Sequence, residues 1–554
     1  MQKNIRRLTA AAIGAALVLA GCGNSQSAAG GAGNKASSHY VLTIATTAGP
    51  LARNFNPFLP TSVAVTDNVA SFIYEPLVQF NPFKPQKPLP WLATSWKWAD
   101  NDKTLAINLR QGVKWSDGTP FTSKDVAFTF NLMKRYPAAN GNGLQFNSVA
   151  ATSPSQVVFH FAKPAYSQFY ALSSLVYIVP QKSWAHVNPT TYTDTDPVGT
   201  GPYRLTSFDS QGFTLTKNSN YWQKGKPVID QLRFPSYNGN DAANVAVEDG
   251  TSQWAGQFIP DIKKVYLSKS PYNHNWSPAT SQVALVPNVS KYPLNDLTVR
   301  KAISEAINRP FVAHQAESGQ ATAQTNATGI LPNESEFIAP QYKHSTLKYD
   351  PKAAKALLES DGWKPGPKGV MEKNGKPLDL TITENSGYTD YMTGAQVLAQ
   401  ELSDIGIHTT VNGVSNNAWI SDLADGDFQL SIDYSNSEGI DPEIIYDGWL
   451  DDSLIHGTNA SADYGRFRSP QAENLFHQYL DATTSAQRNR AIDGMEGILV
   501  NQVPVFVLYG GPDWTQYSSK VLVGWPSPSD PYDPGAPFAP NNEVVVLHLH
   551  FRGK

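Results

Sequence analysis

"LRQGVKWSDGTPFTSKDVAFTFNLM" runs from Leu109 to Met133 and joins a strand to a helix through one turn. Leu105, Ile107 and Leu109 alternate with polar neighbours, the period of a half-buried strand. Ser116-Asp117-Gly118-Thr119 has turn chemistry. Thr122-Ser123 then supplies a hydroxyl cap for a helix that turns Val126, Phe130 and Met133 inward.

Working outward, the same two periods recur along the chain. Val41–Ile44, Val157–Phe161, Leu378–Thr383, Gln429–Tyr434 and Pro504–Tyr509 read as strands. Helices fall between them. Val299, Ala302, Ile303, Ala306 and Ile307 follow helical spacing, with Asn295 or Asp296 as the cap. Asp350-Pro351 opens a helix that Gly362 ends, Val397 to Ile405 forms one closed by Gly406, and Ile492, Met495, Ile498 and Leu499 mark a fourth. The Pro- and Gly-rich junctions near 81–82, 196–202, 292–294 and 503–504 divide the chain unequally, which suggests nested domains.

The first residues have a different character. Lys3, Arg6 and Arg7 precede an uncharged apolar stretch from Leu8 to Ala20. That stretch is shorter than the roughly 20 residues a membrane span needs, and it has the layout of a secretory signal. It ends in Leu19-Ala20-Gly21-Cys22, and Cys22 is the only cysteine among 554 residues. With no second thiol, no disulfide framework is available. Residues 22–39 are rich in Gly, Ala and Ser and read as a flexible tether, with a reach of roughly 20–25 Å. The chain carries 43 basic and 47 acidic residues, and no basic patch suited to nucleic acid appears. Catalytic signatures such as His-Glu-x-x-His, Gly-x-Ser-x-Gly and the P-loop are absent.

The stretch from Leu109 resembles the signature of the family 5 extracellular solute-binding proteins of ABC importers, the oligopeptide and dipeptide-binding group. Further matches follow in family order: "PVGTGPYRL" from Pro197, "NYWQKGKPVIDQLRF" from Asn220, "PLNDLTVRKAISEAINR" from Pro293, "YDPKAAKALLESDGW" from Tyr349, "LSDIGIHTTV" from Leu402 and "VPVFVLYG" from Val503. Leu-Ala-Gly-Cys resembles the bacterial lipobox, whose cysteine is acylated. The resemblance implies an α/β, periplasmic-binding-protein-like fold (type II, cluster C). It implies a signal over 1–21, a first domain from 40–80, 196–294 and 503–554, a second over 81–195 and a third over 295–502. Ligand would lie between the first and third, which would close as a hinge. The implied role is extracytoplasmic: a monomer, lipid-anchored to the cell membrane, passing a small-molecule ligand to a membrane permease. It is not an enzyme and needs no cofactor; a secreted hydrolase is the competing reading.

For the ligand, short peptides come first and β-linked oligosaccharides second. Family peptide binders hold the ligand ammonium with an aspartate. A gapless match on Phe428 and Pro442 puts Glu438 there, whereas matching Asp-Tyr puts Asp433-Tyr434 there with a gap. Trp254 and Trp449 resemble the sugar-binding branch, where indole faces stack on pyranose rings; the alternative for each is a place in the core. Asn288 matches a family asparagine and is read either as a ligand contact or as a local backbone partner. His548 and His550 sit two apart on an expected terminal strand and lack further ligands for a metal. Intact-mass analysis of membrane-extracted protein is expected to find Cys22 at the N-terminus carrying the acyl groups; an unmodified Cys22 or another N-terminus would refute the lipobox reading.

Overall fold

The computed structural model describes residues 39–46, 49–436 and 441–553. Its frame is three sheets. The first has seven strands, in the order Asn273–Asn275, Gln516–Ser518, Trp254–Ala255, Val41–Ala45, Gln231–Pro235, Gly212–Lys217 and Tyr203–Asp209. Val41–Ala45 lies in its middle, parallel to both neighbours. Leu42, Ile44, Phe72, Phe213 and Phe234 build the core on it.

A second, antiparallel sheet orders Ala93–Ala99, Thr104–Leu109, Gln156–His160 and Ser148–Ser153. The helix Ser123–Arg135 covers one face, with Val126, Phe130 and Met133 packed against Leu105, Ile107, Val157 and Phe159. Thr122 caps that helix in a reciprocal box with Asp125. The preceding turn is closed by Asp117, whose Oδ1 accepts from Thr119 N at 2.9 Å.

The third sheet has five strands: His408–Val414, Asp379–Asn385, Leu430–Asn436, Ala279–Pro287 and Phe506–Pro512. It is apolar on both faces. Val283 and Leu285 enter one core, while Ala284 and Val286 enter another. Ala279–Pro287 and Phe506–Pro512 fall in stretches expected in the first domain, and both are strands of this sheet. Ala279–Pro287 pairs antiparallel with Leu430–Asn436 on one side and, with register shifts at Ala279/Ser281 and Val283/Ala284, with Phe506–Pro512 on the other. The sequence reading also attached no element to Ala279–Pro287 or to the helix Pro470–Leu480. His548 ends the helix Glu543–His548 and only His550 lies on a strand, so the expected shared strand face does not form.

Two buried polar hubs tie chain segments together. Arg300, 6 % exposed, donates to the carbonyls of Leu294, Gln502 and Val503 at 2.8, 2.8 and 3.0 Å. Glu75, fully buried, accepts from Trp91 Nε1 at 2.8 Å, Trp222 Nε1 at 2.9 Å and Tyr221 Oη at 3.2 Å. Beside it, Gly199 presses on the Ile73 backbone, and a Cβ there would lie 1.7 Å from the Ile73 carbonyl oxygen. No flexible side chain can yield at that contact, so Gly199→Ala is expected to cost about 3 kcal/mol or more by overpacking. Thermal unfolding beside Gly141→Ala, where φ is not left-handed and nothing lies within 4 Å of the added Cβ, checks this; equal losses would contradict the packing argument.

Candidate ligand site at the seam between two bodies

The seven-stranded and five-stranded bodies meet at a pair of glycines. A Cβ on Gly239 would lie 2.6 Å from the Gly387 carbonyl oxygen, so backbone touches backbone. The next residue, Asn240, donates its backbone N–H to that oxygen at 3.0 Å. Its side-chain Nδ2 reaches Asp390 Oδ1 at 3.1 Å and Thr389 Oγ1 at 3.4 Å. Gln320 Nε2 donates to Ile259 O at 3.0 Å, further along the seam.

Sequence position explains each placement. Asn240 starts the helix Asn240–Glu248 directly after the Gly239 turn. Thr389 and Asp390 begin the helix Thr389–Asp404, where an acidic first turn is favourable. Glu317 follows the helix Arg309–Ala316 as its C-cap, and Ser318 then takes a left-handed φ of 48° that turns the chain away.

The result is a nest of buried acids and phenols. Asp67, Glu317, Glu384, Asp390 and Asp433 are all under 9 % exposed. Burial dominates the ionisation of each. It pushes Asp67 and Asp433 up to about 7 and Asp390 to about 6. Glu317 and Glu384 are raised as well, by burial and then by neighbouring negative charge. No lysine or arginine stands among the groups that set these ionisations. Tyr391 lies in the field of Asp390, Glu317 and Asp433 together. Several acceptors here lack a donor among the described residues: Asp67 Oδ2, Gln257 Oε1, Glu317 Oε2 and Gln320 Oε1.

Of the residues singled out from sequence, Asp433 and Tyr434 lie at this nest, on the strand Leu430–Asn436. Asp433 is buried and Tyr434 is half exposed. Glu438 and Cys22 lie outside the described residues. Trp254 is fully buried; its Nε1 donates to Gly535 O at 2.8 Å, and Phe72 and Trp525 cover its ring. Trp449 is 3 % exposed, in a core with Tyr446 and Leu499. Neither indole offers a face for stacking in this arrangement, because each strand or helix turns it into a sheet core. Asn288 serves its local backbone, with Nδ2 donating to Gly426 O at 3.0 Å and Oδ1 accepting from Ser290 N and Oγ at 3.2 and 2.6 Å. Sequence reasoning missed Asp67, Asn240, Glu317, Glu384, Asp390 and Tyr391. Only Asp390 carried a signal, as a helix-start acid, and that signal concerns the helix rather than a site.

A second contact lies at the outer edge, between the four-stranded and five-stranded bodies. Lys163 Nζ sits 2.7 Å from Asp481, Ser167 Oγ donates to Leu480 O at 3.1 Å, and Arg488 lies over the Tyr166 ring. Among the described residues, no group of three or more His, Cys, Asp or Glu side chains is arranged to hold a metal ion. No described helix is long and apolar enough to cross a membrane.

The described structure thus has three sheets and a polar seam where two of the bodies meet. The family model for the bacterial extracellular solute-binding proteins, family 5, matches residues 87–455. The chain is 28 % identical over 400 residues to the nickel-binding periplasmic protein of Escherichia coli (strain K12), covering 70 % of this chain and 74 % of that one. It is 27 % identical over 341 residues to the glutathione-binding protein GsiB of the same strain, spanning 58 % of this chain and 60 % of the relative. A mannohexaose-bound periplasmic oligopeptide-binding protein of an oligopeptide ABC transporter from Thermotoga maritima superposes with a TM-score of 0.86 at 25 % identity, covering 93 % of this chain and 99 % of that one. The oligopeptide-binding protein AppA of Bacillus subtilis, solved with a nonapeptide, gives 0.79 at 20 % identity over 92 % and 98 %. The chain belongs to family 5 of the bacterial extracellular solute-binding proteins. Its fold is the α/β, periplasmic-binding-protein-like one that the sequence implied, and it is a substrate-binding protein of the ABC-importer type, in a family of transport binding proteins.

The buried acids set a pH dependence. Asp433 and Asp67 bind their protons more tightly folded, at about 7, than at the ordinary 3.8. Their stabilisation is therefore complete below about pH 4 and is lost as pH rises through 7. Asp433→Asn keeps a neutral side chain at every pH. Thermal unfolding of ligand-free protein from pH 5 to 8 is expected to show a smaller loss for this variant than for wild type; parallel curves would contradict the assignment.

Proposed function

We propose that this chain is the lipid-anchored receptor of an ABC importer that captures short peptides at the seam between the seven-stranded and five-stranded bodies, with Asp433 holding the ligand ammonium. The observation carrying this reading is the buried Asp433 carboxyl, for which no cationic neighbour contributes. A peptide ammonium supplies the missing charge, and a charge-assisted hydrogen bond in a dry seam is strong. Tyr434 beside it and Glu438 are further candidates for the same end of the ligand. The acylated Cys22 and its tether would keep the receptor near its permease, on the outer side of the cell membrane. The first, second and third domains of the sequence reading, with the two crossing strands reassigned, would be its moving parts.

A second reading is an oligosaccharide ligand. The similarity to the mannohexaose-bound protein favours it. So does the partly exposed pair Phe83 and Trp276, with ring centroids 5.7 Å apart, which offers aromatic surface that Trp254 does not.

Calorimetric titration with di- to hexapeptides and with β-linked and mannose oligomers separates the two. For a peptide, the affinity difference between wild type and Asp433→Asn should grow as pH increases from 5 through about 7, the value to which Asp433 is pushed, because the ammonium selects the ionised carboxylate. Binding should release more protons from wild type than from Asp433→Asn, N-acetylation should weaken it, and Asp433→Asn should cost about 2–5 kcal/mol. Micromolar binding of an oligosaccharide, unchanged by Asp433→Asn and accompanied by no peptide binding, would overturn the peptide reading.

A further inference from the structure

Asp390 and Asn240 come from different bodies, each is under 7 % exposed, and a 3.1 Å hydrogen bond joins them across the seam. Behind Asp390 stands Glu317, 1 % exposed, with Oε2 lacking a partner of ordinary geometry. The Tyr509 hydroxyl, wholly buried, lies against Glu317 and is likewise without a well-formed bond.

Among the described residues, no lysine or arginine contributes to the ionisation of this pair. Glu384 faces the pair from the strand Asp379–Asn385, and Asp433 and Tyr434 lie beyond Tyr391 on the strand Leu430–Asn436. Tyr388 and Tyr391 flank it on its own helix, Tyr509 comes from the strand Phe506–Pro512, and Asp67 faces Tyr388. Two neighbouring carboxyls in a dry site without a cation cannot both be ionised, so one proton is shared between them. Opening removes Asn240 and admits water to Asp390, which allows both acids to ionise.

We propose that the Glu317–Asp390 pair and Asn240 form a proton-linked latch, in which shutting the seam takes up one proton from solvent onto the pair and opening returns it. Glu317 and Asp390 are positioning residues here; they set how readily the receptor shuts, whatever solute lies in it. Burial raises Asp390 to about 6 and Glu317 well above its ordinary value, so the pair gives up protons progressively as pH rises from the mildly acidic range. The receptor thus shuts more readily at an acidic cell surface and opens as pH rises. This goes beyond the solute-capture reading and does not depend on whether the solute is a peptide or a sugar.

Small-angle scattering of the ligand-free full chain from pH 5 to 8 tests the latch. The wild-type radius of gyration is expected to grow with pH as the shut fraction falls several-fold. The double variant Glu317→Gln/Asp390→Asn, in which neither member can ionise, should stay compact across the range, with its folded state checked by circular dichroism. Asp390→Asn alone should show a smaller growth than wild type and provides the test should the double variant fold poorly. Asn240→Ala should be more open than wild type at pH 5. A wild-type radius constant from pH 5 to 8, or a double-variant or Asp390→Asn profile that still follows wild type, overturns the proposal. Because no solute is added, failure here leaves the peptide reading untouched, and failure of peptide binding leaves the latch untouched.

Discussion

The chain passes between the seven-stranded and five-stranded bodies twice, and the two passages never separate. Ala279–Pro287 pairs with Phe506–Pro512 in one sheet, and Asn273–Asn275 pairs with Gln516–Ser518 in the other. Between them the bonding continues, with Trp276 N to Thr515 O at 3.0 Å and Asp513 N to Pro278 O at 2.7 Å. The connection is thus a two-stranded ribbon with an irregular register at Ala279 and Ser281. Such a ribbon bends and twists more easily than it shears, because sliding would break every ladder bond at once. Away from the ribbon, the Gly239–Gly387 contact brings the two bodies together again.

The buried polar groups divide by what satisfies them. Arg300 and Glu75 are surrounded by partners of the right kind, carbonyls for one and N–H and O–H donors for the other. They hold neighbouring segments in place at modest net energy, since a satisfied buried group roughly offsets its own desolvation. The seam acids are different. Their own lobe supplies few donors, and a buried carboxyl left without them prefers to be neutral. Groups in that state can respond to a proton or to a new hydrogen-bond donor, which is why the proposed site is placed at the seam.

Local structure was legible in the residues because its causes are local. The turn at Ser116–Thr119, the Thr122 cap and the inward face of Val126, Phe130 and Met133 are fixed by neighbours within a few positions. Asp296 and Asp350 cap their helices as their positions suggest. Ala279–Pro287 escaped notice because both its faces are buried. Gln282 to Val286 shows no alternation, and a buried strand without alternation cannot be told from other apolar runs.

The sequence by itself determined the strand and helix pattern, the family and the signal-like start, since each depends on residue order over short spans or on motifs in series. It could not decide the site. Asp67, Asn240, Glu317, Asp390 and Asp433 are separated by up to hundreds of residues, and each has an ordinary local role as a cap, turn or strand residue. Trp254 and Trp449 have the side chain that sugar stacking needs, but the direction each side chain takes is set by its sheet or helix, and both point into cores. Only the tertiary structure decides which carboxyls lose water together, because burial belongs to the assembled surfaces and not to any residue alone.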